Sequence, residues 1–192
     1  MKIYDITQEL FSCVVYPGDP APQRQILNDM HRGDLYNLTA FSMCAHNGTH
    51  VDAPYHFIQD GKTVDRLPLE TFVGDCFVAH FRGEVTAAAA RQILEKAGAA
   101  RRILIAGDAV VTLAAAEVFS QSDICLLGNE SQTVGPPEAP MQVHKLLLGK
   151  GIAFLEGVVL KDVPEGSYFL SAAPLNISGA DGAPCRAYLI EL

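Results

Sequence analysis

A chain of 192 residues, 49% of them hydrophobic, can bury a substantial core as one domain without disulfide support. Its net charge of −8 counts against nucleic-acid binding, which needs a basic footprint, and no apolar run reaches the length of a membrane span. The first residues lack a signal-peptide core, and the five scattered cysteines (Cys13, Cys44, Cys76, Cys125 and Cys185) form no C-x-x-C pair, so they read as reduced thiols of a cytoplasmic protein.

Leu38 to His46 reads as a mostly buried strand that delivers His46 at its end, with Thr39, Phe41 and Met43 on one side. Asn47-Gly48 then forms a turn. Within the segment HNGTHVDAPYHF, three of the six histidines and one aspartate fall close together, at His46, His50, Asp52 and His56. Imidazole nitrogen with carboxylate oxygen is a ligand set suited to zinc and its first-row neighbours. His50 and Asp52 are two apart and share one face of an extended chain. Pro54 argues against a regular helix through Asp52. A loop folding back here brings His46, His50 and Asp52 around one point, with His56 reaching in from a fourth position. Cys44 is expected to pack rather than to ligate.

Further along, Thr86 to Gly98 reads as a helix with Gly98 near its C-cap. Arg102 to Ala106 and Ile124 to Leu127 read as buried strands, with a helix from Thr112 to Phe119 between them. Gln132 to Pro140, with three prolines, is a loop placed to frame a pocket. Met141 to Leu148 reads as a short helix stopped by Gly149 and Gly151, and it carries His144. Ile152 to Leu160 is an apolar run holding Glu156, and an ionised carboxylate there is costly unless paired or metal-bound. A helical histidine or a strand-end glutamate is ordinary alone; beside the first cluster, both become candidate ligands from distant segments. Strands ending at Ala187 to Leu192 complete a mixed α/β domain spanning residues 1–192, without internal repeats.

HNGTHVDAPYHF resembles the H-x-G-T-H-x-D-x-P-x-H-F signature of the metal-dependent cyclase/hydrolase family that includes bacterial kynurenine formamidase and isatin hydrolase. The resemblance extends along the chain, through the Tyr16-Pro-Gly-Asp segment, Asp60-Gly-Lys-Thr-Val-Asp65, the Gly128 to Val134 element, and Gly179-Ala-Asp-Gly-Ala-Pro184 with Arg186. It implies a swivelling β/β/α domain with a β-barrel-like core and peripheral helices, assembled as a homodimer or homotetramer. It implies that His46, His50, Asp52, His144 and Glu156 bind one or two divalent ions, zinc first and manganese second, with Asp52 and Glu156 able to bridge. It also implies that His56 is the catalytic proton donor and acceptor, that Tyr16 meets a small-molecule substrate, and that no organic cofactor is needed.

Against the kynurenine formamidases, Tyr16 stands where they carry a tryptophan, and the region from Ile105 to Leu113 is shorter. Glu130 and Thr133 replace an aspartate and a serine. The expected chemistry is hydrolysis of a small amide, formamide or lactone by metal-activated water. A lyase or cyclase reaction, or metal binding without catalysis, would use the same ligands.

Overall fold

The computed structural model describes residues 1–191; Leu192, the last residue of the expected C-terminal strand, lies outside them. In chain order the strands are β1 (Lys2–Asp5), β2 (Gln23–Asn28), β3 (Leu38–Ser42), β4 (His50–Asp52), β5 (Val73–His80), β6 (Gly83–Val85) and β7 (Arg102–Ala106). They continue with β8 (Ala109–Val111), β9 (Leu126–Asn129), β10 (Ala153–Glu156), β11 (Gly166–Ser171), β12 (Gly182–Pro184) and β13 (Tyr188–Glu191). The α-helices are α1 (Ala87–Ala97), α2 (Leu113–Ser120) and α3 (Met141–Gly149).

Nine strands form one curled, half-barrel sheet in the order β1-β13-β11-β5-β7-β9-β10-β4-β12. Its centre, β5 to β7 to β9 to β10, is parallel, and both flanks are antiparallel. Parallel neighbours need long crossovers, and α1, α2 and α3 each lie in one of these three connections. α1 starts where the Thr86 side chain accepts from Ala89 N–H and ends at Gly98; Thr112 caps α2 in the same way through Ala115 N–H.

Side-chain alternation divides the core between the two faces of the sheet. Ile103, Ile105, Leu127 and Phe154 pack under the helices, against residues such as Ala90, Phe119 and Leu147. Leu104, Leu126, Leu155 and Val51 point the other way, into a second cluster with Phe72, Val78 and Leu189. Glu156 therefore shares the helix-side face with Phe154, and His50 and Asp52 face away from Val51.

Two expectations need correction. The segment leading to His46 is not a buried strand: β3 ends at Ser42, pairs only with β2, and is largely exposed. The two strands form a ribbon outside the main sheet, so alternation there reflects hairpin pairing and not burial. The expected strand at Ile124 begins at Leu126, because the ladders to Arg102 and Ala153 start there, while Ile124 packs into the helix-side core. Glu130 lies just past β9, where its carboxylate accepts from Gly107 N–H at 2.6 Å and Leu160 N–H at 2.7 Å. It ties two loops together and does not line the cavity described next.

Candidate metal centre

β4 is the platform of the site. His50 and Asp52 project from it on one face, both about 1% exposed. Next to it, β10 places Glu156 opposite His50 and Phe154 opposite Asp52. On the other edge, β12 brings Gly182 opposite Asp52, and with it the preceding Asp181. Gly182 has no room for a side chain, since a Cβ would sit 2.7 Å from His46 Cε1 and 2.6 Å from Val51 O. Gly157 has a φ of 66°, and a Cβ there would meet Gly48 O at 2.3 Å. The histidine loop and the end of β10 can thus approach backbone to backbone, with Gln8 Nε2 and Thr49 Oγ1 both donating to Gly157 O.

Backbone carbonyls fix two of the rings. His50 Nδ1 bonds Gly48 O at 2.9 Å and His144 Nδ1 bonds Pro140 O at 2.9 Å, leaving each Nε2 directed at the carboxylates. This outer hydrogen bond is the usual device that sets the tautomer of a metal-ligating histidine. His50 Nε2 lies 3.4 Å from Asp52 Oδ1 and 3.5 Å from Glu156 Oε2. His144 Nε2 lies 3.4 Å from Glu156 Oε1 and 3.8 Å from Asp52 Oδ2. His46 Nδ1 is 2.8 Å from Asp52 Oδ1, and its Nε2 is 2.9 Å from Asp181 Oδ2. His56 Nδ1 bonds the same Asp181 oxygen at 3.2 Å, with its ring centroid 4.1 Å from that of His46.

The structure thus brings together His46, His50, Asp52, His56, His144 and Glu156, as the spacing and the distant segments led one to expect. Ligand atoms of His50, Asp52 and Glu156 all lie within 4.8 Å of one another, and so do those of His46, Asp52 and His56. Two buried atoms, His50 Nε2 and Asp52 Oδ2, have no hydrogen-bond partner. Buried polar atoms are rarely left so, and a cation among them would satisfy both. The donor set, imidazole and carboxylate without thiolate, fits a divalent ion.

Burial opposes charge on His46, but bonds to Asp181 and Asp52 outweigh it and push its pKa up to about 11. The same contest at His50, with Asp52 and Glu156 as partners, ends at about 9. His144 also moves upward, because its bond to Glu156 outweighs its burial. Burial would raise the Asp52 carboxyl, yet His46 and His50 hold it well below the usual carboxylate range. His46 and His56 likewise hold Asp181 far down. The cluster is a compact set of opposed charges, in which His46 and His50 favour their protonated forms beside Asp52.

A cavity of about 400 Å³ opens over this cluster, within the range of small-molecule sites. Tyr16 lines it, as expected, and its hydroxyl donates to Pro137 O at 3.4 Å. Phe57, Gln132, Thr133 and Pro140 form further wall, so the loop before α3 does frame the pocket. No residue from 105 to 113 lines it. Cys44 departs from its expected packing role: it lies on the cavity wall, its Sγ 3.7 Å from Asp19 Oδ2. The larger cavity, about 490 Å³ between Gln8, Phe41 and Arg186, shares no residue with the cluster. Asp181 was not singled out from the sequence, although it sits inside the Ala-Asp-Gly segment already noted there.

Comparison with known proteins agrees. A kynurenine formamidase of Salinibacter ruber is 34% identical over 206 residues, covering 98% of this chain and 97% of that protein. One from Erythrobacter litoralis is 31% identical, covering 100% and 94%. Among solved structures, a "potential metal-dependent hydrolase with cyclase activity" superposes with a TM-score of 0.83 at 27% identity, covering 98% of this chain and 96% of that one. Isatin hydrolase A from Labrenzia aggregata shares the fold, with a TM-score of 0.84 at 24% identity over 98% and 93% of the two chains. The family model described as "Putative cyclase" matches residues 4–155, a span running from β1 through β4 and α3 into β10, and the chain belongs to this Cyclase family.

Proposed function

We propose that this chain is a metal-dependent hydrolase that opens a non-peptide C–N bond in a small amide, with related lactones as further candidates. One observation carries the reading: the unpartnered His50 Nε2 and Asp52 Oδ2, buried within a cluster of histidines and carboxylates beneath a ligand-sized cavity. The formamidase relatives and the metal-dependent hydrolase neighbour support it.

In this reading His46, His50, Asp52, His144 and Glu156 are the ligands. Asp52 and Glu156 each present both oxygens to different histidines, which suits two ions as well as one. Zinc is the first choice, because three of the five donors are imidazoles, and manganese is the second, because carboxylates supply the rest. When bound, such an ion supplies a water deprotonated near neutral pH and polarises the substrate carbonyl.

The chain's own groups do the rest. His56 lies at the cavity and is held through Nδ1 by Asp181, which leaves Nε2 as the nitrogen that moves protons. Water oxygen adds to the carbonyl carbon as its proton passes to His56 Nε2, the C–N bond breaks, and the departing nitrogen takes that proton from His56, leaving the acid product and the free imidazole. Tyr16 and Phe57 exclude water from the reacting atoms and offer aromatic faces to the substrate.

One domain over residues 1–192, a cytoplasmic location and a homodimer or homotetramer complete the proposal. Five free cysteines are consistent with a reducing compartment. No described helix is long and apolar enough to cross a membrane. Exposed apolar side chains on and beside the β2–β3 ribbon, Leu35 at 93% and Phe41 at 57% among them, suit a subunit contact.

The test is elemental analysis of protein purified without added metal, then turnover of formamides, cyclic amides and lactones in oxygen-18 water. Label in the acid product establishes hydrolysis; turnover without label makes the enzyme a lyase or cyclase, and a metal-loaded chain inert toward all three classes is a binder.

A further inference from the structure

Gln132 lies in the loop between β9 and α3, partly buried, and lines the cavity beside Glu156 and His144. Its side chain packs against the backbone just after Glu156: a Cβ on Gly157 would meet Gln132 Nε2 at 2.3 Å. Both of its polar atoms, Nε2 and Oε1, are buried without a hydrogen-bond partner, and so is Oγ1 of the adjacent Thr133. A side-chain amide with neither end satisfied is uncommon in a folded protein. Gln132 is not among the ligands, and none of the proton steps uses it.

We propose that Gln132 reads the substrate, and that the substrate it selects is a cyclic imide or ureide carrying a –CO–NH–CO– edge. The inference rests on the hydrolase reading above and narrows its substrate class. A glutamine amide presents one donor and one acceptor along a single edge. The complement is an N–H and a C=O lying side by side, as they do in a ring amide. An open-chain secondary amide is trans, with its N–H and C=O on opposite sides, and it meets only one of the two atoms. A lactone has no N–H for Oε1. An imide ring has two carbonyls, so one can face the metal ligands and be attacked while the other accepts from Nε2 and the N–H donates to Oε1. Gln132 lines this cavity together with Tyr16 and Phe57, and a volume of about 400 Å³ is large enough for a bicyclic ring.

The probes are phthalimide and N-methylphthalimide, which differ in the N–H that Oε1 would accept. The zinc-loaded wild type is compared with Gln132→Met, close in volume but without the amide, and with Gln132→Glu, which can accept but not donate. Selectivity is the ratio of kcat/KM values, or of dissociation constants if no turnover occurs. Wild type is expected to favour the free imide at least 10-fold, and Gln132→Met to lose that preference with unchanged metal content and Tm. A wild type without the preference overturns the proposal, as does a preference that survives in Gln132→Met. Should Gln132→Met fail to fold, Gln132→Glu decides, since it is expected to weaken phthalimide through repulsion of the second carbonyl. Selective binding without hydrolysis of any amide removes the hydrolase reading and leaves this one; hydrolysis of amides without imide selectivity does the reverse.

Discussion

Glu156 stands directly opposite His50 in the antiparallel β10–β4 ladder, with Oε2 3.5 Å from His50 Nε2. A cross-strand pair of this kind is set by backbone register, so the separation of the two groups is fixed by hydrogen bonding far from the side chains themselves. A one-residue slip would turn His50 and Asp52 into the second core and replace them with Val51. The site and the sheet register are one specification.

The ligand and proton-transfer roles separate by mutation. His50→Ala is expected to lose metal, because its Nε2 faces both carboxylates. His56→Ala is expected to keep most of its metal and to lose about 10²–10⁴-fold in kcat, the usual span of acid–base catalysis. Metal content by emission spectroscopy alongside steady-state rates reads both. Equal metal loss in the two variants would move His56 among the ligands, a place the grouping of His46, Asp52 and His56 makes accessible to it.

Asp181 holds two rings at once, His46 Nε2 at 2.9 Å and His56 Nδ1 at 3.2 Å. Asp181→Asn keeps the size but removes the charge that orients both. Metal affinity or activity is expected to fall about 10–100-fold, as for other partners of metal-ligating histidines. The fold should stand, since Asp181 is partly exposed. Unchanged kcat and unchanged metal affinity would show the two bonds to be incidental.

The pH dependence has opposite signs with and without metal. In the metal-free chain His46 and His50 have pKa values raised to about 11 and about 9, above the ordinary 6.5. Their contribution to stability is complete below the unfolded value and disappears as pH rises through the folded ones. The metal-free protein should therefore lose Tm progressively from about pH 6.5, with the His50 contribution gone by about pH 9 and that of His46 by about pH 11. Asp52 and Asp181, both depressed, contribute above their unfolded value near 3.8 and lose that contribution on acidification. Metal ligands must shed their protons, so cation affinity should instead rise with pH, and binding at pH 7 should release protons. Calorimetric titration in buffers of different ionisation enthalpy measures that release; a titration with no proton release would contradict the charge state described.

Much of the site could be read from the chain because its chemistry is local. His46, His50, Asp52 and His56 crowd one short segment, and residue type alone indicates metal. His144 and Glu156 are ordinary taken singly, and they stand out only beside that first cluster, because a metal site collects ligands from distant segments. Asp181 carries no such local signal: an Ala-Asp-Gly loop looks like any turn until β12 pairs with β4. The exposure of the segment from Leu38 is hidden in the sequence for a related reason. Phe41 and Leu38 look like core residues, and only the pairing partner decides that they are exposed.

Substrate preference should depart from that of kynurenine formamidases. Tyr16 lines the cavity with its hydroxyl engaged by Pro137 O, so it offers a smaller aromatic face than tryptophan and a fixed polar edge. Residues 105 to 113 add nothing to the wall. N-formylkynurenine is expected to be turned over weakly or not at all. A kcat/KM for it within the ordinary enzyme range of about 10⁴–10⁸ M⁻¹s⁻¹ would show the altered wall to be harmless.

β4 is hydrogen-bonded along both edges, to β10 and to β12, and lies over a closed apolar core. Its two candidate ligands, His50 and Asp52, gain their positions when the sheet forms. Small zinc modules behave otherwise, since their metal is what holds them folded. Here a chelator should silence the protein and leave its architecture standing, with activity restored by returning the ion and no refolding step between. Metal supply would then govern whether the protein works, and not whether it persists.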